Sequence, residues 1–257
     1  MSKKIYSALL ILLISLPAIT LSQEKEEIKY RPYFLIEDQV RPSMYFEYME
    51  ALKANIQFMA DHSFKYPIYT FTDDEYNIYF SIPMGHNIAF VDSINKGFNM
   101  VYEQDKEGWD KMFKMYDNTY SRNKSFIIYW SKALSYSPEG MEQSDDNNYI
   151  EYMELFAIPG KMDDLKSIMK EWVELYKKNN IQTPFETYVG YLGTDLKIMI
   201  LSRFKDQQDA AMQNAKIDKI LEGSDELMNL YKKTLKVVEK VDNKIMRHLS
   251  KYSYTPE

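Results

Sequence analysis

Two spacings of apolar residues alternate along this chain. Tyr45, Met49, Leu52 and Ile56 recur every three or four residues, one face of an α-helix over Met44–Met59. Leu165, Met169, Trp172 and Tyr176 repeat that spacing over Asp164–Asn179. Trp109, Met112 and Phe113, and later Leu227, Leu230 and Tyr231, mark further helices; Ser224 after Gly223 is a helix stop followed by a new N-cap. Between them lie short runs rich in aromatic and β-branched residues that read as strands: Tyr30–Ile36, Tyr66–Phe71, Tyr76–Ile82, Ser125–Tyr136, Ile150–Phe156, Glu186–Tyr191, Leu196–Ser202 and Lys244–Tyr254. The order strand, helix, two strands, helix, strand occurs twice.

Displacing the chain against itself by 120 positions superimposes segments of like character without a gap from Lys29 to Ile82. In the later part of each half the displacement is 118, and the endings are near copies: Ser135-Tyr136-Ser137-Pro138-Glu139 against Ser253-Tyr254-Thr255-Pro256-Glu257. The pattern predicts an α+β protein with βαββαβ halves at residues 29–138 and 149–257. A polar linker, 139–148, joins them, and a charged, disordered arm, 23–28, precedes them. In the strands Tyr76–Ile82 and Leu196–Ser202 both faces are partly apolar, as in a sheet with helices on one side and another sheet on the other.

Residues 1–22 read as a cleavable signal peptide. Lys3 and Lys4 precede an apolar run from Ile5 to Ile19, and Thr20-Leu21-Ser22 offers a cleavage site before Gln23. At about 15 residues the run falls short of the roughly 20 that span a bilayer. The expected location is therefore outside the cytoplasm, periplasmic or secreted, with no membrane attachment after cleavage. Without Lys3 and Lys4, the 32 basic residues fall to 30 against 38 acidic ones, a net charge of −8, which argues against nucleic acid as a partner. The absence of cysteine excludes disulfides, thiolate catalysis, zinc–cysteine sites and iron–sulfur clusters. With 22 tyrosines, 13 phenylalanines and 16 methionines, the expected core is aromatic and adaptable.

This organisation resembles the dimeric α+β barrel superfamily, ferredoxin-like units whose sheets pair face to face. The local match is in the second half, where the strand Tyr149–Leu155 runs through Ile158-Pro159-Gly160-Lys161-Met162 into a helix. That turn is similar to the opening of NIPSNAP-like and antibiotic-biosynthesis-monooxygenase-like members; in the first half Gln39-Val40-Arg41 stands in its place. The resemblance implies an intrachain α+β barrel, two fused halves in place of a homodimer, and hence a monomer. It also implies a pocket between the sheet and the helices of a half. Members oxygenate aromatics without a cofactor, degrade haem, use haem for peroxidation or chlorite cleavage, or bind ligands, and the fold alone does not choose among these.

His86, after Pro83-Met84-Gly85, and His248, on the last predicted strand, are the catalytic or haem-ligating candidates; the everyday alternatives are a loop imidazole and a packed aromatic substitute. His62 ends a helix, where its charge suits the dipole. No histidine pair has metal-binding spacing, so no metal site is expected. Asp73-Asp74-Glu75, Asp145-Asp146 and Asp163-Asp164 fit a hairpin turn, the linker and a helix first turn. With eight glycines and no GxSxG, Walker or GxGxxG pattern, no phosphate-cradling loop is expected. Tyr69, Tyr79, Tyr129, Tyr152 and Tyr188 fall on predicted strands and offer rings and hydroxyls to a ligand, with His86 and Arg203 as polar contacts. The leading expectation is an exported protein that binds a small apolar or aromatic molecule and carries no cofactor. A cofactor-free monooxygenase or haem-handling enzyme and a pocketless interaction module are the alternatives.

Overall fold

The computed structural model describes residues 29–85, 87–139, 141 and 147–256. The signal peptide, the arm, His86 and most of the linker lie outside these. The first half contains β1 (Tyr30–Val40), α1 (Tyr45–Asp61), β2 (Tyr69–Asp73), β3 (Asn77–Pro83), α2 (Phe90–Gln104), α3 (Lys106–Lys114) and β4 (Tyr120–Ser131). The second contains β5 (Tyr149–Ala157), α4 (Met162–Lys178), β6 (Glu186–Leu192), β7 (Lys197–Phe204), α5 (Gln207–Leu221), α6 (Asp225–Leu235) and β8 (Val238–His248). The second crossover of each half thus holds two helices, separated by the caps Asp105 and Ser224, whose side chains accept from Gly108 N and Leu227 N.

All eight strands pair antiparallel in one closed barrel, in the order β1-β3-β2-β8-β5-β7-β6-β4. Each half contributes a four-stranded sheet, and the seams between halves are β2–β8 and β4–β6. The fold is therefore a mixed α+β barrel with helices outside and a lumen between the sheets. Closure within one chain removes the free strand edges that each half alone would expose.

The near-identical endings of the halves have a structural reason: each locks onto the other half. Tyr136 bridges Phe185, and its hydroxyl donates to Ile181 O at 2.7 Å; Tyr254 bridges Ile68, and its hydroxyl donates to Phe64 O at 2.5 Å. Ser135 Oγ accepts from Thr187 N, and Ser253 Oγ accepts from Thr70 N. Thr187 donates back to Leu134 O, and Thr70 to Tyr252 O. Two equivalent clamps, exchanged between halves, hold the seams.

The gap-free displacement of 120 holds for β3 and β7 but fails for the elements before them. Asp38 pairs with Ile78 and Leu155 with Ile198, so β1 and β5 are displaced by 117, while β3 and β7 keep 120. α1 and α4, and β2 and β6, are displaced by 117 as well, so the difference arises in the later hairpin, where the link between β6 and β7, counted between paired residues, is three residues longer than that between β2 and β3. Three is odd, so the slip exchanges the faces of the strand. Leu35 packs in the lumen, whereas Leu155 packs beneath the helices.

Candidate functional site

Side chains alternate along every strand, so the barrel creates two kinds of space: the lumen, and the layer between each sheet's outer face and its helices. In the first half that layer is filled. Phe34, Phe80 and Ile82 point outward and pack with Phe64, Phe98, Trp109 and the α2 residues Ile94 and Val101. Gly97 of α2 lies so close to Phe64 and Tyr66 that a Cβ there would sit 3.0 Å from the Tyr66 ring. Leu52 and Tyr48 of α1 are fully buried.

The equivalent layer of the second half encloses a cavity of about 1000 Å³. The strand pairing gives the cause. Where the first half has Phe34, Phe80 and Ile82, the second has Glu151, Ile200 and Ser202. Helix α5 buries Ala210 and Leu221 and sets Asn214 at the cavity, whereas α2 buries Ile94, Gly97 and Val101. The remaining wall comes from Leu155, Met169, Trp172, Tyr176 and Phe185, with Tyr231, Thr234 and Leu235 of α6 opposite and the turn Asp73-Asp74-Glu75 of the first half at the rim.

Its polar lining is Glu151, Asn214, Ser202, Thr234, Asn243 and Lys244, with the Asp73-Asp74-Glu75 turn. Asn214 donates to both carboxylate oxygens of Glu151, at 3.2 and 3.0 Å, and among the described residues no cation bridges that carboxylate. Trp172 Nε1 donates to Thr234 Oγ1 at 3.1 Å, fixing the indole against α6. Burial raises the pKa of Tyr176, so it meets a ligand as a neutral phenol. The cavity is mainly apolar, with a carboxylate–amide pair among its polar groups, a composition usual for small-molecule sites.

The tyrosines singled out in the sequence mostly face elsewhere. Tyr69, Tyr79, Tyr188, Arg203 and His248 border the lumen, which encloses a second, smaller cavity of about 350 Å³. Tyr152 borders both spaces, its strand being part of the wall between them. Tyr129 borders neither; it packs edge-on against Tyr191 with ring centroids 5.1 Å apart. The expectation of a tyrosine-lined pocket between sheet and helices is thus corrected: the aromatic lining there is Trp172, Tyr176, Phe185 and Tyr231. No alternation along a strand marked these residues. The available signal was the run of alanines and amides in α5 where an apolar stripe was due.

Lower in the lumen, Tyr79 donates to Asp73 at 3.0 Å and Tyr152 to Glu154 at 2.8 Å, and Glu154 also pairs with Lys197. Burial first, then these carboxylates, push the pKa values of both phenols up. His248 Nε2 lies 3.2 Å from Ser253 Oγ, with its ring beside Phe71. His62 caps its helix through Phe58 O and lies 3.9 Å from Asp105. Neither borders the large cavity, so among the described residues no imidazole is available there to a haem iron. The described residues contain no cluster of three metal-ligating side chains, and none of their helices is long and apolar enough to cross a membrane.

No family model matches the sequence, and no curated protein resembles it. Solved structures do resemble the fold. A candidate monooxygenase from Fusobacterium nucleatum superimposes with a TM-score of 0.55 at 12% identity, covering 87% of this chain and 94% of that one. A candidate monooxygenase from Lactobacillus acidophilus gives 0.53 at 9%, covering 88% and 96%. An anthrone oxidase-like protein gives 0.54 at 8%, covering 87% and 92%. The chain has the dimeric α+β barrel fold, with both halves of the barrel in one polypeptide. Identities this low speak for the fold alone.

Proposed function

We propose that this protein, exported by its N-terminal signal, binds a small, flat, largely apolar molecule in the cavity between the second half's sheet and helices α4–α6. One observation carries the reading: the first half fills this layer with Phe34, Phe80 and Ile82, and the second leaves about 1000 Å³ open at the same place. Interiors pack densely, and a void of this size lined by aromatic rings matches a ligand site better than a core. The Glu151–Asn214 pair at one end favours a ligand bearing a hydroxyl or amine that donates to the carboxylate.

The test is calorimetric titration of the purified protein with two- and three-ring phenols and amines, 2-naphthol and anthrone among them. Saturable binding that Ile200→Trp abolishes is the expected result. Absence of binding across the set, or binding indifferent to Ile200→Trp, would sink the reading.

A second reading rests on Glu151. Its carboxylate is placed to take a proton from a bound phenol, the opening step of cofactor-free oxygenation, and the monooxygenase names of the structural neighbours fit such a reaction. It predicts dioxygen uptake with the bound phenol that Glu151→Gln removes while binding remains. Binding without uptake leaves the first reading alone.

A further inference from the structure

The lumen has the features of a site of its own. Packed interiors hold few voids larger than a water molecule, yet about 350 Å³ remains open between the two sheets. Its floor is made by the rings of Tyr79 and Tyr152, whose hydroxyls are committed to Asp73 and Glu154 below. The walls there are therefore aromatic faces. The upper end is different. Of the residues bordering the cavity, Glu186 is the only carboxylate, against the guanidinium groups of Arg31 and Arg203.

Those two arginines are unequal. Arg203 shares Glu186 at 3.3 Å and lies over the Phe71 ring, 5.7 Å from its centroid. Arg31 is exposed at the mouth and hydrogen-bonds the neutral phenol of Tyr33, so no carboxylate among the described residues balances it. An unbalanced guanidinium above aromatic walls calls for an anionic group attached to a ring.

We propose that the barrel lumen is a second ligand site, distinct from the sheet–helix cavity, that takes a small aromatic carboxylate with its carboxylate at Arg31 and its ring among the luminal tyrosines. A single-ring acid fits within the volume. Planar guanidinium against carboxylate is the pairing that arginine favours.

Calorimetric titration of the full protein with 4-hydroxybenzoate, and in parallel with its methyl ester, tests this. Saturable binding of the acid is expected, with the ester weaker by at least about tenfold, as for loss of a charged hydrogen bond. Arg31→Gln, an exposed change that spares the core, should weaken the acid by a similar factor. Ser81→Phe, which places a ring in the lumen, should abolish binding, and Ile200→Trp in the other cavity should leave it intact. Failure of the acid to bind, equal binding of the ester, or binding that Ile200→Trp removes and Arg31→Gln does not would each overturn the proposal.

Discussion

Replacing Ser202 by isoleucine copies into the second half the residue the first half carries at the same sheet position, Ile82, which is 1% exposed. The strand accepts a β-branched residue readily, so the outcome turns on whether the space above it is open. If it is, the substitution buries two to three additional carbons against Trp172, Tyr176 and Asn214. At about 0.8 kcal/mol per buried methylene, that is a gain of about 1.6–2.4 kcal/mol. For a chain of this size each kcal/mol raises Tm by roughly 2–4 °C, so an increase of about 3–10 °C is expected. Circular dichroism melts of the two proteins measure it, and a ligand titration of the same samples should show affinity for apolar phenols falling as stability rises. If the layer were already packed, the added carbons would overfill it and cost about 1–3 kcal/mol instead. The sign therefore decides: a lower Tm for Ser202→Ile refutes the cavity and the function built on it.

Two further outcomes concern buried charge. Lys197→Met strands the Glu154 carboxylate, 8% exposed, with Tyr152 as its remaining partner; urea unfolding should show a loss of about 3–5 kcal/mol, largely recovered in the Lys197→Met, Glu154→Leu double variant. Burial raises the pKa of Asp38 despite hydrogen bonds from Tyr48 and Asn123, so the folded state holds its proton more tightly than the unfolded chain does. That contribution to stability is complete below the unfolded value of about 3.9 and is lost as pH rises through the raised folded value. Wild type should accordingly lose stability relative to Asp38→Asn as pH climbs from about 3 through that range, and a constant Tm difference across it would contradict this.

Much of the barrel was legible in the sequence because helix and strand periods differ and the halves repeat them in order. Both helices lie where their stripes fall, α1 over Tyr45–Asp61 and α4 over Met162–Lys178, though displaced by 117, and Ser224 is a cap as its position after Gly223 implied. The direction of the tyrosines was not legible. A strand with apolar residues on both faces carries no mark of which face is the lumen, and three extra residues between β6 and β7 made a displacement of 120 set β1 against β5 with its faces exchanged. The large cavity was hidden for another reason. A site made by what side chains fail to fill is visible only when Ser202 and Asn214 are set beside Ile82 and the apolar face of α2. The copied Ser-Tyr endings were plain in the sequence, but their partners, Ile181 and Phe64, lie in the opposite halves, and no local pattern points to them.

Joining both halves in one chain has a consequence for how such a barrel can change. In a symmetric pair of identical subunits every substitution is made twice, so closing one pocket closes the other, and opening one weakens both. Here Ile82 and Ser202 are written separately. One half is free to become solid scaffolding while the other takes on the instability of an empty chamber. The reciprocal tyrosine clamps tie the two, so the loss in one half is supported by the rigidity of its neighbour.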